Sequence, residues 1–260
     1  MKKWFSLFIL FVLLIGTVPA NAAQSMDQAE VHAGRMPAIL VDSAGRPIGT
    51  AEYWNNRLSF VVNLKPAAGW KIVDVQVYVG LVPPPLNKDK PIPGKFPCIR
   101  TFQDKPEAVM IQCDLEQEFA FKWGPDRLRY VAIHGDLVRT TAVGYALAKN
   151  DFWLKPQNPT ALASFVSWPK MKHGGYFTNV FIHPARGHFI DSPVSGITYQ
   201  TATSWGITDE TGGFDYFEDE RVDLWLGSVY LGSPLANQRI SPIDIFENAD
   251  TSYLGVINMA

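Results

Sequence analysis

The stretch from residue 191 to 232 alternates short β-prone runs with turns, and that rhythm restricts it to small antiparallel sheets. Ser195-Gly196 precedes the run Ile197, Thr198, Tyr199. Thr208-Asp209-Glu210-Thr211-Gly212-Gly213 then reads as a turn, with glycine free to take a positive φ. Phe214 and Tyr216, and after them Val222, Leu224 and Leu226, recur at period 2, as half-buried strands require. The pattern predicts a positive φ at Gly212 or Gly213 and Phe214 delivered into a core.

The first half carries the same signature. Residues 58–64 form a strand candidate between Asn55-Asn56 and Pro66. Residues 72–79 (IVDVQVYV) alternate more clearly: Val73, Val75, Val77 and Val79 on one face, Ile72, Asp74, Gln76 and Tyr78 on the other. Six prolines within 81–97 exclude a central strand and predict a crossing loop or an edge. Residues 109–113, 118–122 and 129–134 are further strand candidates, and 138–148 begins as strand and ends as loop. Regular structure is expected from about Gly49. The expected fold is mostly β, with two β-sandwich-like domains and a short helical or irregular C-terminal segment. The divisions are a signal peptide at 1–22, a flexible lead-in at 23–43, and a β-sandwich domain at 44–151. An aromatic-rich connector at 152–189, a small β-module at 190–235 and a C-terminal segment at 236–260 follow.

The leader has Lys2 and Lys3, an apolar run, and then the small-x-small site Ala20-Asn21-Ala22. Its apolar run is short for a bilayer span, so no transmembrane span is expected after cleavage. Removing it takes the formal net charge from -2 to -4. A weakly acidic chain has no basic footprint for nucleic acid. Apolar residues at 47% and charged residues at 18% fit packed cores rather than disorder. The expected address is secreted or cell-surface, with the periplasm as the alternative.

The two cysteines, Cys98 and Cys113, both follow the leader. An oxidising compartment favours a disulfide between them. Closing a loop of about 15 residues contributes roughly 3 kcal/mol in the chain-entropy treatment.

Two resemblances add to this reading. The stretch 191–232 resembles a small β-module repeated in secreted and lipid-anchored bacterial surface proteins, through Asp191-Ser192-Pro193-Val194, Thr208-Asp209, Gly213-Phe214 and Glu220 to Gly232. Residues 44–151 are similar to a β-rich domain of secreted bacterial proteins. Gly69-Trp70-Lys71-Ile72, Val79-Gly80, the run Pro91-Ile92-Pro93-Gly94-Lys95-Phe96-Pro97 and Tyr130-Val131-Ala132-Ile133-His134 carry that similarity. Gly144-Tyr145-Ala146 departs from it, standing where that domain has an Ala-Trp pair. The resemblances imply an address and an architecture, and no activity.

No catalytic residues are expected: the chain lacks a G-x-S-x-G elbow, an H-E-x-x-H pair and a phosphate-cradling glycine loop. Calcium is the single cofactor candidate, held by Asp209, Asp215 and Asp219 of an acidic cluster; the competing reading is a solvated turn, because the spacing is not a calcium-loop spacing. Trp153, Trp168 and Tyr176 are the candidate ligand-binding residues, as a stacking platform for a glycan; inter-domain packing is the alternative. His173, His183 and His188 keep no ligand-like spacing, and His134 reads as a hydrogen-bonded packing residue. The expected function is a non-enzymatic structural or adhesion-type protein of the envelope or exterior, a subunit of a surface assembly. Its expected partners are its own copies or another surface protein. A glycan-binding module is the first alternative and a secreted hydrolase the second. The apolar run 253–259 is the segment expected to dock.

Overall fold

The computed structural model describes residues 34–140, 147–157, 164–190 and 193–245. The expected leader, the Gly144-Tyr145-Ala146 segment and the run 253–259 lie outside the described residues.

The chain is mostly β, with several sheets. It opens with β1 (Met36–Val41), β2 (Pro47–Asn55), β3 (Ser59–Pro66) and β4 (Lys71–Gly80). Regular structure therefore starts well before position 49. The proline-rich stretch holds only a two-residue hairpin, β5 (Leu86–Asn87) with β6 (Lys90–Pro91), and a 3-10 turn at Pro93–Lys95. Then come β7 (Cys98–Thr101), β8 (Val109–Asp114), β9 (Leu128–Thr140) and β10 (Leu147–Pro156). Residues 118–122, expected as strand, are turn and coil instead. Ala120 takes φ +50° there, and its N–H donates to the Glu116 carbonyl, so the backbone closes on itself rather than on a neighbour.

These strands make one antiparallel path, β7-β4-β9-β10-β1-β2-β3-β8. The stretch expected as a connector supplies β11 (Phe165–Ser167) and β12 (Gly175–Val180), and β12 pairs with the start of β9. The sandwich expected for 44–151 takes another form. A single sheet bends round until its end strands, β7 and β8, meet at Cys98 and Cys113. Alternation in the sequence tells which residues face inward, but a curled sheet and two facing sheets share that alternation.

The enclosed core contains Tyr53, Phe60, Val62, Leu64, Val75, Val77, Phe152 and Phe177, all fully buried, with both cysteines among them. The expected face of β4 is corrected at its start. Ile72 pairs with Leu137 and Asp74 with Asp136, so Val73 is an extra residue in a bulge. The bulge moves Ile72 into the core beside Val75, Val77 and Val79, and leaves Val73 half-buried outside it.

A second core belongs to the C-terminal strands. β13 (Ala185–Phe189), β16 (Gly213–Tyr216) and β19 (Arg239–Ile240) form one sheet. β15 (Trp205–Ile207), β14 (Thr198–Gln200), β17 (Asp223–Leu226) and β18 (Val229–Gly232) form another, in that order. Phe189, Ile197, Tyr199, Phe214, Tyr216, Val222 and Leu224 pack between them. Leu226, expected inside by its period, is exposed because β17 ends in the hairpin turn at Gly227. A single turn of helix, α1 (Pro242–Ile245), closes the described chain; the Asp244 carboxylate accepts from both the backbone N–H and hydroxyl of Ser241 at its start.

Candidate functional site

Three groupings of polar and aromatic side chains stand out. The first is the seam. Cys98 on β7 and Cys113 on β8 are bonded, with Cα atoms 5.9 Å apart. Beside them the Arg100 guanidinium donates to both Glu118 carboxylate oxygens, at 2.8 and 3.0 Å, and to the Gln112 carbonyl at 2.8 Å. Glu118 also accepts from the Asp114 N–H at 2.7 Å. No β7–β8 ladder links these end strands among the described residues, so side chains close the sheet. Glu118 lies close to both sulfurs. The bond between the sulfurs removes the thiolates a metal would need.

The second grouping is the junction between the two cores. Arg57, in the β2–β3 turn, donates from Nε to both Asp215 oxygens at 2.9 Å. Arg186 on β13 reaches the same carboxylate at 3.1 Å and also binds Asp209. Arg57 further contacts His183 Nε2 at 3.0 Å, and the Trp123 indole donates to the Arg57 carbonyl at 3.0 Å. Neighbouring contacts extend the joint: Asn55 exchanges hydrogen bonds with Ile182, and the Trp54 indole donates to the Thr203 carbonyl. Two of the three expected calcium ligands are thus brought together, but around guanidinium groups. Asp209 also accepts from the Thr211 hydroxyl and from the Thr211 and Gly213 N–H groups, and this holds its carboxyl far below the ordinary value. Asp219 sits in a separate exposed turn with φ +66°. The Asp209 interactions are those of a turn-shaping residue.

The third grouping lies on the outer face of the curled sheet. Trp153, Trp168 and Tyr176 do come together, with ring centroids 5.3 Å apart for the first pair and 5.2 Å for the second. Trp153 is 1% exposed and Trp168 2%, so their faces pack on one another and on Val41, Phe96 and Ala132. Gly174, at φ +86°, lets the backbone pass against Trp153; a Cβ there would come within 2.5 Å of the indole. Only Tyr176 keeps partial exposure.

Next to Trp153, cross-strand pairing lines up residues the sequence reading did not combine. Asp74, Asp136 and Asp151 are direct neighbours across β4, β9 and β10, and Gln76, His134 and Trp153 form the adjacent row. Gln76 Oε1 lies 2.6 Å from His134 Nδ1, and His134 Nε2 faces Asp151 Oδ2 at 3.7 Å. His134 thus has the hydrogen-bonded, ring-packed place expected for it, 4.7 Å from the Trp153 ring. The imidazole beside it holds the Asp151 carboxyl below its ordinary value. Partial desolvation, then the Asp74 carboxylate, push Asp136 above it. Long-range register brings these acids together; of the three, only Asp74 stands on a face that strand alternation assigns, the mixed face of 72–79. No serine or cysteine nucleophile is bonded to His134 among the described residues, and the cluster is a row of acids on the outer face of the sheet.

No family model, no curated protein and no solved structure matches this chain. No described helix is long and apolar enough to cross a membrane.

Proposed function

We infer that this chain is exported and acts by binding, as a structural or adhesion-type protein of the cell envelope or exterior, without catalysis of its own. The observation that supports this reading best is the seam: the end strands of the curled sheet are joined by the Cys98–Cys113 bond rather than by a backbone ladder. A sheet closed this way suits an oxidising compartment, because cytosolic thiols are kept reduced. The leader-like N-terminus and the two resemblances point to the same address. We read the C-terminal sheets as a small sandwich carried by the larger domain, and Arg57–Asp215 as the joint that fixes its orientation. Both ends of the β15-β14-β17-β18 sheet are edges, where self-association or a surface partner would pair.

The test is expression of the full chain in a bacterial host, followed by fractionation and intact mass with and without reduction. The reading expects protein outside the cytoplasm, two mass units heavier after reduction. Cytoplasmic protein with free thiols overturns the address. Turnover of ester, peptide or glycoside substrates that a point variant abolishes overturns the non-catalytic role.

A further inference from the structure

The outer face of the β15-β14-β17-β18 sheet has no use in anything described above. Its inner face is accounted for by Tyr199 and Leu224, which belong to the second core. The alternation then turns Thr198, Gln200, Trp205, Ile207, Asp223 and Trp225 outward. Register places Ile207, Thr198, Trp225 and Tyr230 side by side, one from each strand. The row behind it is Trp205, Gln200 and Asp223. At ordinary strand spacing the first row extends about 14 Å, the length of roughly two to three sugar rings in line. Ile207 is 66% exposed and Tyr230 55%. The Trp225 and Tyr230 rings lie 5.6 Å apart.

We propose that this face binds a neutral, extended polysaccharide of β-1,4-linked hexopyranose units. The argument is one of charge and shape. Asp223 is the carboxylate of the two rows, and its Oδ1 accepts from the Tyr230 hydroxyl at 3.1 Å. Arg221, one step back along the outward positions, is turned onto the Ser233 carbonyl. Acid and base balance, so the ligand that complements the face is uncharged. Aromatic faces carry negative quadrupole density, which attracts the polarised C–H groups on the flat side of a pyranose ring. Thr198 stands between Ile207 and Trp225, and Gln200 between Trp205 and Asp223, so each row sets an exposed hydroxyl or amide beside an indole. A protein interface of this size wants an apolar centre inside a polar rim. Here Thr198 and Gln200 put polar groups in the middle of the face rather than at its rim, which suits a ligand whose own surface mixes C–H and O–H. A β-1,4-linked ribbon is flat and can lie on an open sheet; an α-1,4-linked chain curls away from it. Trp153 and Trp168 have no part in this, since both are buried.

The inference rests on the binding role proposed above, and its test separates from the test of that role. Purified, disulfide-intact protein is titrated with cellohexaose and N-acetylchitohexaose, by calorimetry and by tryptophan fluorescence. Binding to at least one of them is expected, with maltohexaose about tenfold weaker or worse, a difference of roughly 1.4 kcal/mol. Trp225→Ala and Tyr230→Ala should each weaken binding by about tenfold, as aromatic anchors do, while Trp168→Phe leaves it unchanged. Tyr230 is a surface residue, so its variant folds even if Trp225→Ala does not. Exported, disulfide-bonded protein that binds none of these sugars overturns the proposal and leaves the address standing. Equal affinity for maltohexaose, or Tyr230→Ala binding like wild type, also overturns it. So does a concentration-dependent dimer that Tyr230→Ala abolishes, which would give the face to a second copy.

Discussion

Arg57 and Asp215 are 158 positions apart in the chain, yet the guanidinium of one lies against both carboxylate oxygens of the other. Asp215 is 8% exposed and belongs to the second core's sheet; Arg57 belongs to a turn of the first. A buried carboxylate stripped of its partners costs far more than the pair contributes, because the charge is left without compensation. The pair therefore serves as a positional constraint more than a source of stability.

Arg57→Ala should destabilise the protein by about 2–3 kcal/mol, somewhat less than the usual range for a buried pair because Arg186 remains on Asp215. Denaturant midpoints of the variant and of Arg57→Ala with Asp215→Asn decide it. The double variant should recover part of the loss, since the orphaned charge is gone. With Asp215→Asn alone as the third variant, strictly additive losses would rule out coupling between the two residues.

Cys98→Ala with Cys113→Ala removes a link spanning 15 positions. The expected cost is about 3 kcal/mol from loop closure. Hydrogen exchange should locate it: faster exchange in β7 and β8 first, because only Arg100 and the neighbouring strands then hold the seam. An unchanged midpoint, with β7 and β8 as protected as before, would show that the seam needs no covalent tie.

Much of this architecture was legible because strand periodicity is local. Alternation alone places Val75 and Val77 on the apolar face of their strand, and they are fully buried. Val73 was misplaced because a bulge is set by the partner strand, not by the strand's own sequence. The same limit applies to the sheet's closure: strand order places β7 next to β8 only through pairings far apart in sequence. The candidate site suffered more. Trp153 and Trp168 do meet, but an aromatic-rich sequence reads the same for an exposed stacking platform and for a packed cluster, and these two are packed. Asp209 and Asp215 were grouped by charge, and the arginines that claim them come from strand β13 and a turn near position 57. Trp225 and Tyr230 lay within the best-read stretch, and only the hairpin register puts them side by side with Ile207.

Asp136 gives a pH signature. Partial desolvation and the Asp74 carboxylate raise its folded-state value above that of the unfolded chain. A raised carboxyl value means the folded state binds the proton more tightly. The stability tied to it is complete below the ordinary carboxylate range, about pH 4, and is lost as pH rises through the raised value. Asp136→Asn should thus stabilise at pH 7 by about 0.5 kcal/mol or less, as suits an exposed position, and by nothing at pH 3. Melting temperatures at both pH values test it, and a gain that is larger at pH 3 would reverse the assigned sign.

Gly212 takes φ +74° in the turn that feeds Phe214 into the second core, while Gly213 has no positive φ. Two constraints meet at Gly212. A side chain is disfavoured in the left-handed region, most of all a β-branched one. A Cβ there would also stand 2.6 Å from the Phe189 carbonyl oxygen, a backbone atom that cannot swing aside. At Gly213 the nearest atoms belong to the Arg186 guanidinium, which can move but would then leave Asp209 and Asp215. Gly212→Val should cost more than about 1 kcal/mol from backbone strain alone, and more again from the clash. Gly213→Ala should cost less, and its loss should shrink in an Arg186→Ala background, where nothing stands in the way. Urea midpoints of the two single variants and of Gly213→Ala with Arg186→Ala read this out. A Gly212→Val protein as stable as wild type would mean that the turn is built some other way.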